Sequence, residues 1–233
     1  MLMNARRHPP AVVTSGNASL SHLLRTLAGA MLLFPDTCVI CGRQGRCPCP
    51  ACAMRLPSPP SLPLPCGLDS LAVVMSYELA GRRLITSLKY RNRRGILQWL
   101  ADEMASRLQA DAPEVVTWIP ASVQGKRRRG FDTGALLAAR IGHRLGLPVQ
   151  PLLRRTPGPA QTLRSAAERT AGPPLSLVRS LLHRPPFSVC LVDDVCTTGA
   201  SIETAAHALR AAGVVHVVGA VAARTPLHRL PTA

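Results

Sequence analysis

From residue 68 onward the apolar positions fall into short blocks with two kinds of spacing. LAVVMSY (71–77), EVVTWIP (114–120), PVQPLL (148–153), FSVCLV (187–192) and VVHVVGAVAA (214–223) are brief and dense, which predicts strands. RRLITSLKY (82–90), ILQWLADEMASRL (96–108), TGALLAARIGHRLG (133–146) and SIETAAHALRAAG (201–213) repeat their apolar residues every three or four positions, as amphipathic helices do. In 133–146 the repeat falls on Leu137, Ile141 and Leu145 and closes on Gly146. In 201–213 it falls on Ile202, Ala205, Ala206 and Leu209, with Ser201 as a hydroxyl N-cap and Gly213 at the end. RNRRG (91–95) reads as a basic turn, SVQGKRRRGFD (122–132) as a basic loop, and 154–186 as a long polar, Pro-rich loop with one short helix. The runs 187–192 and 214–223 carry little polar alternation, as expected of strands buried on both faces. Strands alternating with helices predict a parallel α/β sheet with right-handed crossovers.

The first 66 residues follow a different pattern. SLSHLLRTLAGAMLLF (19–34) predicts a short amphipathic helix ended by Pro35, and residues 1–18 read as a disordered leader. Residues 38–66 hold six of the eight cysteines among Pro and Gly without either periodicity. Such a segment cannot bury a core of its own and needs a staple. Cys38-x2-Cys41 and Cys49-x2-Cys52, separated by seven residues, can close a tetrahedral Zn²⁺ site. Four thiolates leave no open position on the ion, so its role would be structural, supplying the ordering energy that the segment lacks. Cys47 is an alternative to Cys49 as a ligand, and Cys66 is unassigned. A disulfide set, disfavoured in the cytoplasm, and free thiols are the other readings. The expected organisation is a leader (1–18), a helix and zinc module (19–66), one α/β domain (67–225) and a tail (226–233).

Composition narrows the choice of partner. The chain of 233 residues is 47% hydrophobic but only 3% aromatic, so its core must be built from Leu, Val, Ile and Ala. The formal net charge is +16, carried almost wholly by Arg because Lys89 and Lys126 are the only lysines. That balance suits a polyanion; an Arg/Ala/Pro-rich coding bias would give the same numbers with no binding role. So few aromatic residues argue against a base-stacking platform for single strands. No run approaches the ~20 apolar residues of an integral membrane segment. The short run 28–34 follows Arg25 and lacks a cleavage site, which disfavours a secretory signal and leaves the cytoplasm as the expected location. His143, His207 and His216 read as surface or packed residues. Nothing in the pattern specifies an oligomer.

The densest chemistry lies in VCLVDDVCTTGAS (189–201). Two adjacent carboxylates after a buried run repel each other and cost desolvation, so a cation or a polyhydroxyl ligand is expected beside them. Thr197, Thr198, Gly199, Ala200 and Ser201 form a tight turn into a helix N-terminus, which offers converging N–H groups and hydroxyls to a phosphate. Asp193 and Asp194 suit vicinal hydroxyls or a magnesium shell. A phosphate beside a diol is a sugar phosphate. Cys190 reads as core and Cys196 as a spacer.

LVDDVCTTGAS resembles the phosphoribosyl pyrophosphate (PRPP) motif of type I phosphoribosyltransferases. The resemblance implies that Asp193 and Asp194, the catalytic candidates, bind the ribose 2- and 3-hydroxyls and help to organise Mg²⁺. It implies that residues 197–201 hold the 5-phosphate, with Ser201 standing where the family has Thr. VTWIPASVQGKRRRGFD (116–132) resembles the basic loop of the competence protein F (ComF) family, with Asp132 and Thr133 in place of its Asn-Gln. Lys126, Arg127 and Arg129 are the pyrophosphate-binding candidates. SLKYRNRRG, LLRRTPGPAQTLRSAAER and the Phe-Pro and Cys-x-x-Cys-Gly after the leading helix extend the resemblance from about residue 20 to 225; a later Arg-Ala-Asn-containing part is degraded to TAGPPLS.

The resemblance implies a type I phosphoribosyltransferase fold with an N-terminal four-cysteine zinc module, PRPP and Mg²⁺ as ligands, and a cytoplasmic role in natural transformation. That role would involve incoming single-stranded DNA and other competence proteins. The alternative is an active phosphoribosyltransferase with an unassigned acceptor. A DNA-binding zinc protein with no sugar-phosphate site ranks last, because it leaves the acidic pair unexplained.

Overall fold

A computed structural model describes residues 37–91, 94–108, 113–156, 173–178 and 184–226. The expected leader, the helix at 19–34 and almost all of the tail lie outside them, as does any short helix within 157–172 or 179–183. The described residues all lie in one compact unit that begins at Thr37. In chain order they form α1 (Pro50–Ala53), β1 (Ser70–Ser76), α2 (Leu79–Arg91), α3 (Arg94–Leu108), β2 (Val115–Trp118), α4 (Val123–Arg129), α5 (Thr133–Leu145), β3 (Leu153–Arg155), β4 (Leu175–Leu177), β5 (Ser188–Cys196), α6 (Ala200–Ala211) and β6 (His216–Arg224).

The main sheet is four-stranded and wholly parallel, in the order β1-β6-β5-β2. Successive residues of β5 serve opposite faces. Cys190 and Val192 pack with Leu84, Leu88, Leu100 and Ile141 of α2, α3 and α5, while Val189 and Leu191 pack with Ile202, Ala205 and Leu209 of α6. Burial on both faces explains the unbroken apolar runs of β5 and β6, since each pleat direction meets a helix. Helices on both faces of a parallel sheet are the α/β architecture expected from the sequence.

The structure corrects the sequence expectations in five places. The basic stretch 122–132 is not a loop, because it contains α4. The Ser122 side chain accepts from the Gly125 N–H at 3.0 Å, and Gly130 closes the helix at φ +78 with its N–H on the Lys126 carbonyl. These caps make a helix of a run that has no buried residue and so no apolar period to betray it. The expected strand 148–153 resolves into a single parallel bridge, Val149 to Val116, followed by β3. Pro148 and Pro151 each lack the N–H that a continuous ladder needs. The expected loop 154–186 contains β4, which pairs antiparallel with β3 through Leu153–Leu177 and Arg155–Leu175. The N-cap of α6 is Gly199, at φ +93, and not Ser201, which lies inside the first turn. Finally, β5 does not stop before the acidic pair: it runs to Cys196, with Asp193 opposite Val221 of β6.

That last difference shapes the end of the sheet. β2 ends at Trp118, opposite Val192, and the chain turns away at Pro120 after the Ile119 N–H bonds the Val192 carbonyl. β5 therefore continues from Val192 to Cys196 beyond its last β2 pair, with β6 as its one strand neighbour there among the described residues. At the far end of α5 the chain returns through Gly146 at φ +69. A Cβ on Gly142 would lie 2.2 Å from Val149 Cγ2, so only glycine lets this helix sit against the incoming edge.

Candidate functional site

Past Val192 the side of β5 that β2 has left must find other partners for its backbone. The Asp194 N–H finds one in the carboxylate before it, bonding Asp193 Oδ1 at 2.7 Å. Both carboxylates stand where β5 has run past β2, and Asp194 lies within reach of α2. There the Asp194 carboxylate meets Lys89 of α2, with Nζ 2.7 Å from Oδ1 and both side chains largely buried. The pair is thus a carboxylate held by a lysine beside a second carboxylate without one. Burial, and after it the neighbouring Asp194 charge, push the Asp193 carboxyl up to about 8, against the Asp194 N–H and Lys89.

A stability effect follows with a definite sign. The folded chain keeps the Asp193 proton up to about pH 8, whereas an unfolded aspartate loses it near pH ~3.9. Stability therefore falls as pH rises through that window. Asp193→Asn, neutral throughout, should match the parent chain near pH ~4 and exceed it progressively up to about pH 8 in urea titrations. A variant less stable than the parent at the upper end of that window would refute the assignment.

Directly after β5 come Thr197 and Thr198, both exposed, then the buried Gly199 and the start of α6. The Thr198 hydroxyl accepts from the Ala200 N–H at 3.4 Å. Glu203, the acid in the first turn, is engaged by the Cys66 N–H at 3.1 Å. Burial pushes the Cys196 thiol up, with Arg224 opposing.

Asp193, Asp194 and Ser201 line one cleft of about 180 Å³ together with Lys89, Pro120, Ser122, Arg129, Asp132 and Arg155. The basic helix reaches this cleft unevenly. Arg129 lines it, and its Nε has no protein hydrogen-bond partner among the described residues. Lys126 is 3.0 Å from Asp132 Oδ2, on the carboxylate that also caps α5 by accepting from Ala135 N–H and holds the Ala121 N–H. Arg127 is exposed and is not among the residues lining the cleft. Arg128 instead stacks over Tyr90 at 5.1 Å and bonds its hydroxyl. Thr197, Thr198, Gly199 and Ala200 lie in the turn beside the cleft and do not line it.

Several cleft residues are not among the sequence's site candidates, the charged Lys89 and Arg155 foremost, the latter fixed through its Nε to the Pro120 carbonyl at 2.9 Å. In the sequence Lys89 stands out as one of two lysines and within SLKYRNRRG, and Arg155 within LLRRTPGPAQTLRSAAER, but neither stretch carries a sign that its basic residue faces the cleft. A larger hollow of about 550 Å³, between Thr37, Val39 and the start of α2, offers Arg82 and Arg83 and, among the described residues, no carboxylate to a ligand.

The cysteine segment forms two knuckles. A tight turn, with the Cys38 N–H on the Arg43 carbonyl and Gly42 at φ +77, presents Cys38 and Cys41. The Cys49 carbonyl starts α1, which presents Cys52. The ligand atoms of Cys38, Cys41, Cys49 and Cys52 all lie within 4.8 Å of one another, with Cys41 and Cys49 Sγ 3.7 Å apart. A tetrahedron of sulfurs at about 2.3 Å from an ion has edges of ~3.8 Å, so the four could hold a metal ion. Burial raises the Cys38 thiol, but backbone N–H groups, from Cys49 first, overcome it and hold it down at about 6. Burial and the other three sulfurs push Cys52 up to about 12. Crowded thiols that cannot all ionise together suit a cation at their centre. Cys47 is outside the set: it is buried, and its Sγ accepts from the Val39 N–H at 3.3 Å. Val39, Ile40, Cys47 and Leu56 anchor the module on the core cluster of α2, α3 and α5.

No protein-family model matches the chain, and no curated protein matches it. Among solved structures, a purine phosphoribosyltransferase from Pyrococcus horikoshii Ot3 matches at 17% identity and TM-score 0.37, over 55% of this chain and 73% of that one. The allosteric regulatory enzyme of purine biosynthesis matches at 21% and 0.39, over 59% of this chain and 30% of that one. TT1426 from Thermus thermophilus matches at 21% and 0.33, over 56% of this chain and 82% of that one. Among the described residues no helix is long and apolar enough to cross a membrane.

Proposed function

We propose that the chain is a PRPP-binding protein of the phosphoribosyltransferase type with a structural zinc. The observation that carries this reading is the shared end of the sheet. The acidic pair on the overhang of β5 and Ser201 at the start of α6 open on one cleft with Lys89, Arg129 and Arg155. One end of such a ligand is a phosphate monoester, its middle a vicinal diol and its other end a pyrophosphate. The Thr197–Ser201 turn suits the first, Asp193 and Asp194 the second, and Arg129, with Lys126 and Arg127 nearby on α4, the third. Mg²⁺ would be held beside the acidic pair and would neutralise pyrophosphate charge. Zn²⁺ would be held by Cys38, Cys41, Cys49 and Cys52, closed to solvent ligands.

What the chain's own groups contribute to transfer is position and charge. Arg129 draws off negative charge on the departing pyrophosphate, while the carboxylates face a ribosyl centre that turns positive as the bond loosens. The sequence resemblance supports a cytoplasmic role in DNA uptake, with single-stranded DNA and other competence proteins as partners, and the net charge of +16 is compatible with it.

Calorimetric titration with PRPP, with and without Mg²⁺, tests the reading. Saturable one-to-one binding that is strengthened by Mg²⁺, and far weaker for ribose 5-phosphate, is expected. Absence of binding to the zinc-replete chain would end it. Pyrophosphate release with candidate bases then separates an active transferase from a binding protein.

A further inference from the structure

The proposed site carries a cation of its own. Lys89 reaches from the last turn of α2 to Asp194 Oδ1 at 2.7 Å, and the two side chains are only 20% and 14% exposed. Its neighbour Tyr90 faces α4, where Arg128 stacks on the ring and bonds the hydroxyl at 2.5 Å. The end of α2 is therefore fastened to α4, and the ammonium is delivered to the cleft between two anchored walls. Asp194 already has its charge matched before any ligand arrives, and its N–H is matched as well, by Asp193.

We propose that Lys89 is a resident counter-cation that a free divalent ion cannot readily displace from Asp194, so that the site selects metal arriving on a sugar pyrophosphate over metal alone. This rests on the reading of the cleft as a PRPP site. A free ion would have to evict a partly buried ammonium and leave it unpaired, which costs the desolvation of that charge. A metal–pyrophosphate complex brings anionic oxygens with it. The ammonium, on a flexible four-carbon stem, exchanges the carboxylate for them and stays paired throughout. Lys89 is thus a positioning residue: it acts through Asp194 and sets which form of the ligand the acidic pair will accept.

The test uses Mn²⁺ alone as probe, with free ion followed by electron paramagnetic resonance, on the full chain and on Lys89→Met and Lys89→Gln. Removing the ammonium should tighten binding of Mn²⁺ alone by about tenfold, the scale of a partly buried ion pair. The same variants should weaken metal–PRPP binding, and Lys89→Arg should keep the exclusion of free Mn²⁺. A purely structural lysine would weaken both ligands together. Unchanged or weaker Mn²⁺ binding in Lys89→Gln, in a chain whose parent binds PRPP, overturns this proposal and leaves the site reading intact. A parent chain that ignores PRPP overturns the site reading instead. Should Lys89→Met fail to fold, the Gln and Arg variants still decide the question.

Discussion

Asp193→Asn with Asp194→Asn should abolish PRPP binding in a calorimetric titration while leaving the fold intact. The two carboxylates occupy the part of β5 that β2 no longer covers, and they line the cleft with Ser201 and Arg129. An amide can still accept the Asp194 N–H from position 193, so that backbone contact at the strand end survives. In a titration run above about pH 8, where Asp193 too has lost its proton, what is lost is the charge on two acceptors, worth ~1.5–3 kcal/mol for each hydrogen bond to an ionised group, which predicts a fall in affinity on the order of 100-fold or more. The Asp194 substitution also leaves Lys89 without its carboxylate, so Asp194→Asn alone should cost more stability than Asp193→Asn. Retention of tight, Mg²⁺-strengthened PRPP binding in the double variant would show that the acidic pair is not what holds the ligand.

The second large effect concerns the cysteine module. Zinc bound by four thiolates contributes ~10–16 kcal/mol to the folding of small metal-dependent domains, and this segment has little regular structure of its own: α1 is four residues long with none of them buried. The purified chain should carry one zinc per molecule by elemental analysis. Cys38→Ser or Cys52→Ser should abolish that stoichiometry and lower the thermal midpoint sharply. Cys47→Ala should cost packing, because that side chain is buried against the α2/α3/α5 core, yet keep the metal. A zinc-free preparation with an unchanged midpoint, or loss of metal in Cys47→Ala alone, would contradict the assignment of ligands.

The sequence revealed most where periodicity and burial coincide. β5 and β6 are legible because both faces are covered, and the Ile202, Ala205, Ala206 and Leu209 face of α6 is buried as its spacing implies. The two knuckles are legible because their ligand spacing reflects tight local turns. Reading fails where stability comes from termini or from distant chain. α4 is defined by its two caps, which a count of apolar positions cannot register. β3 and β4 are three-residue strands whose partners are each other, across a stretch, 157–172, outside the described residues. The extent of β5 depends on where β2 ends, a fact written at Trp118, far earlier in the chain. Lys89 could be placed in the cleft only by knowing how α2 lies on the sheet.

The basic helix α4 buries none of its residues, yet it is fixed at both ends, by Ser122 and by Gly130. Val123, Gln124 and Arg127, all exposed, are therefore spared the packing demands that constrain the rest of the domain. New side chains can be installed at those positions without disturbing the sheet, whereas Lys126, Arg128 and Arg129 are held by Asp132, by Tyr90 and by the cleft. The reach and selectivity of the cleft toward anions can accordingly drift faster than the scaffold, which makes this short segment the natural place for descendants of this protein to diverge in what they recognise.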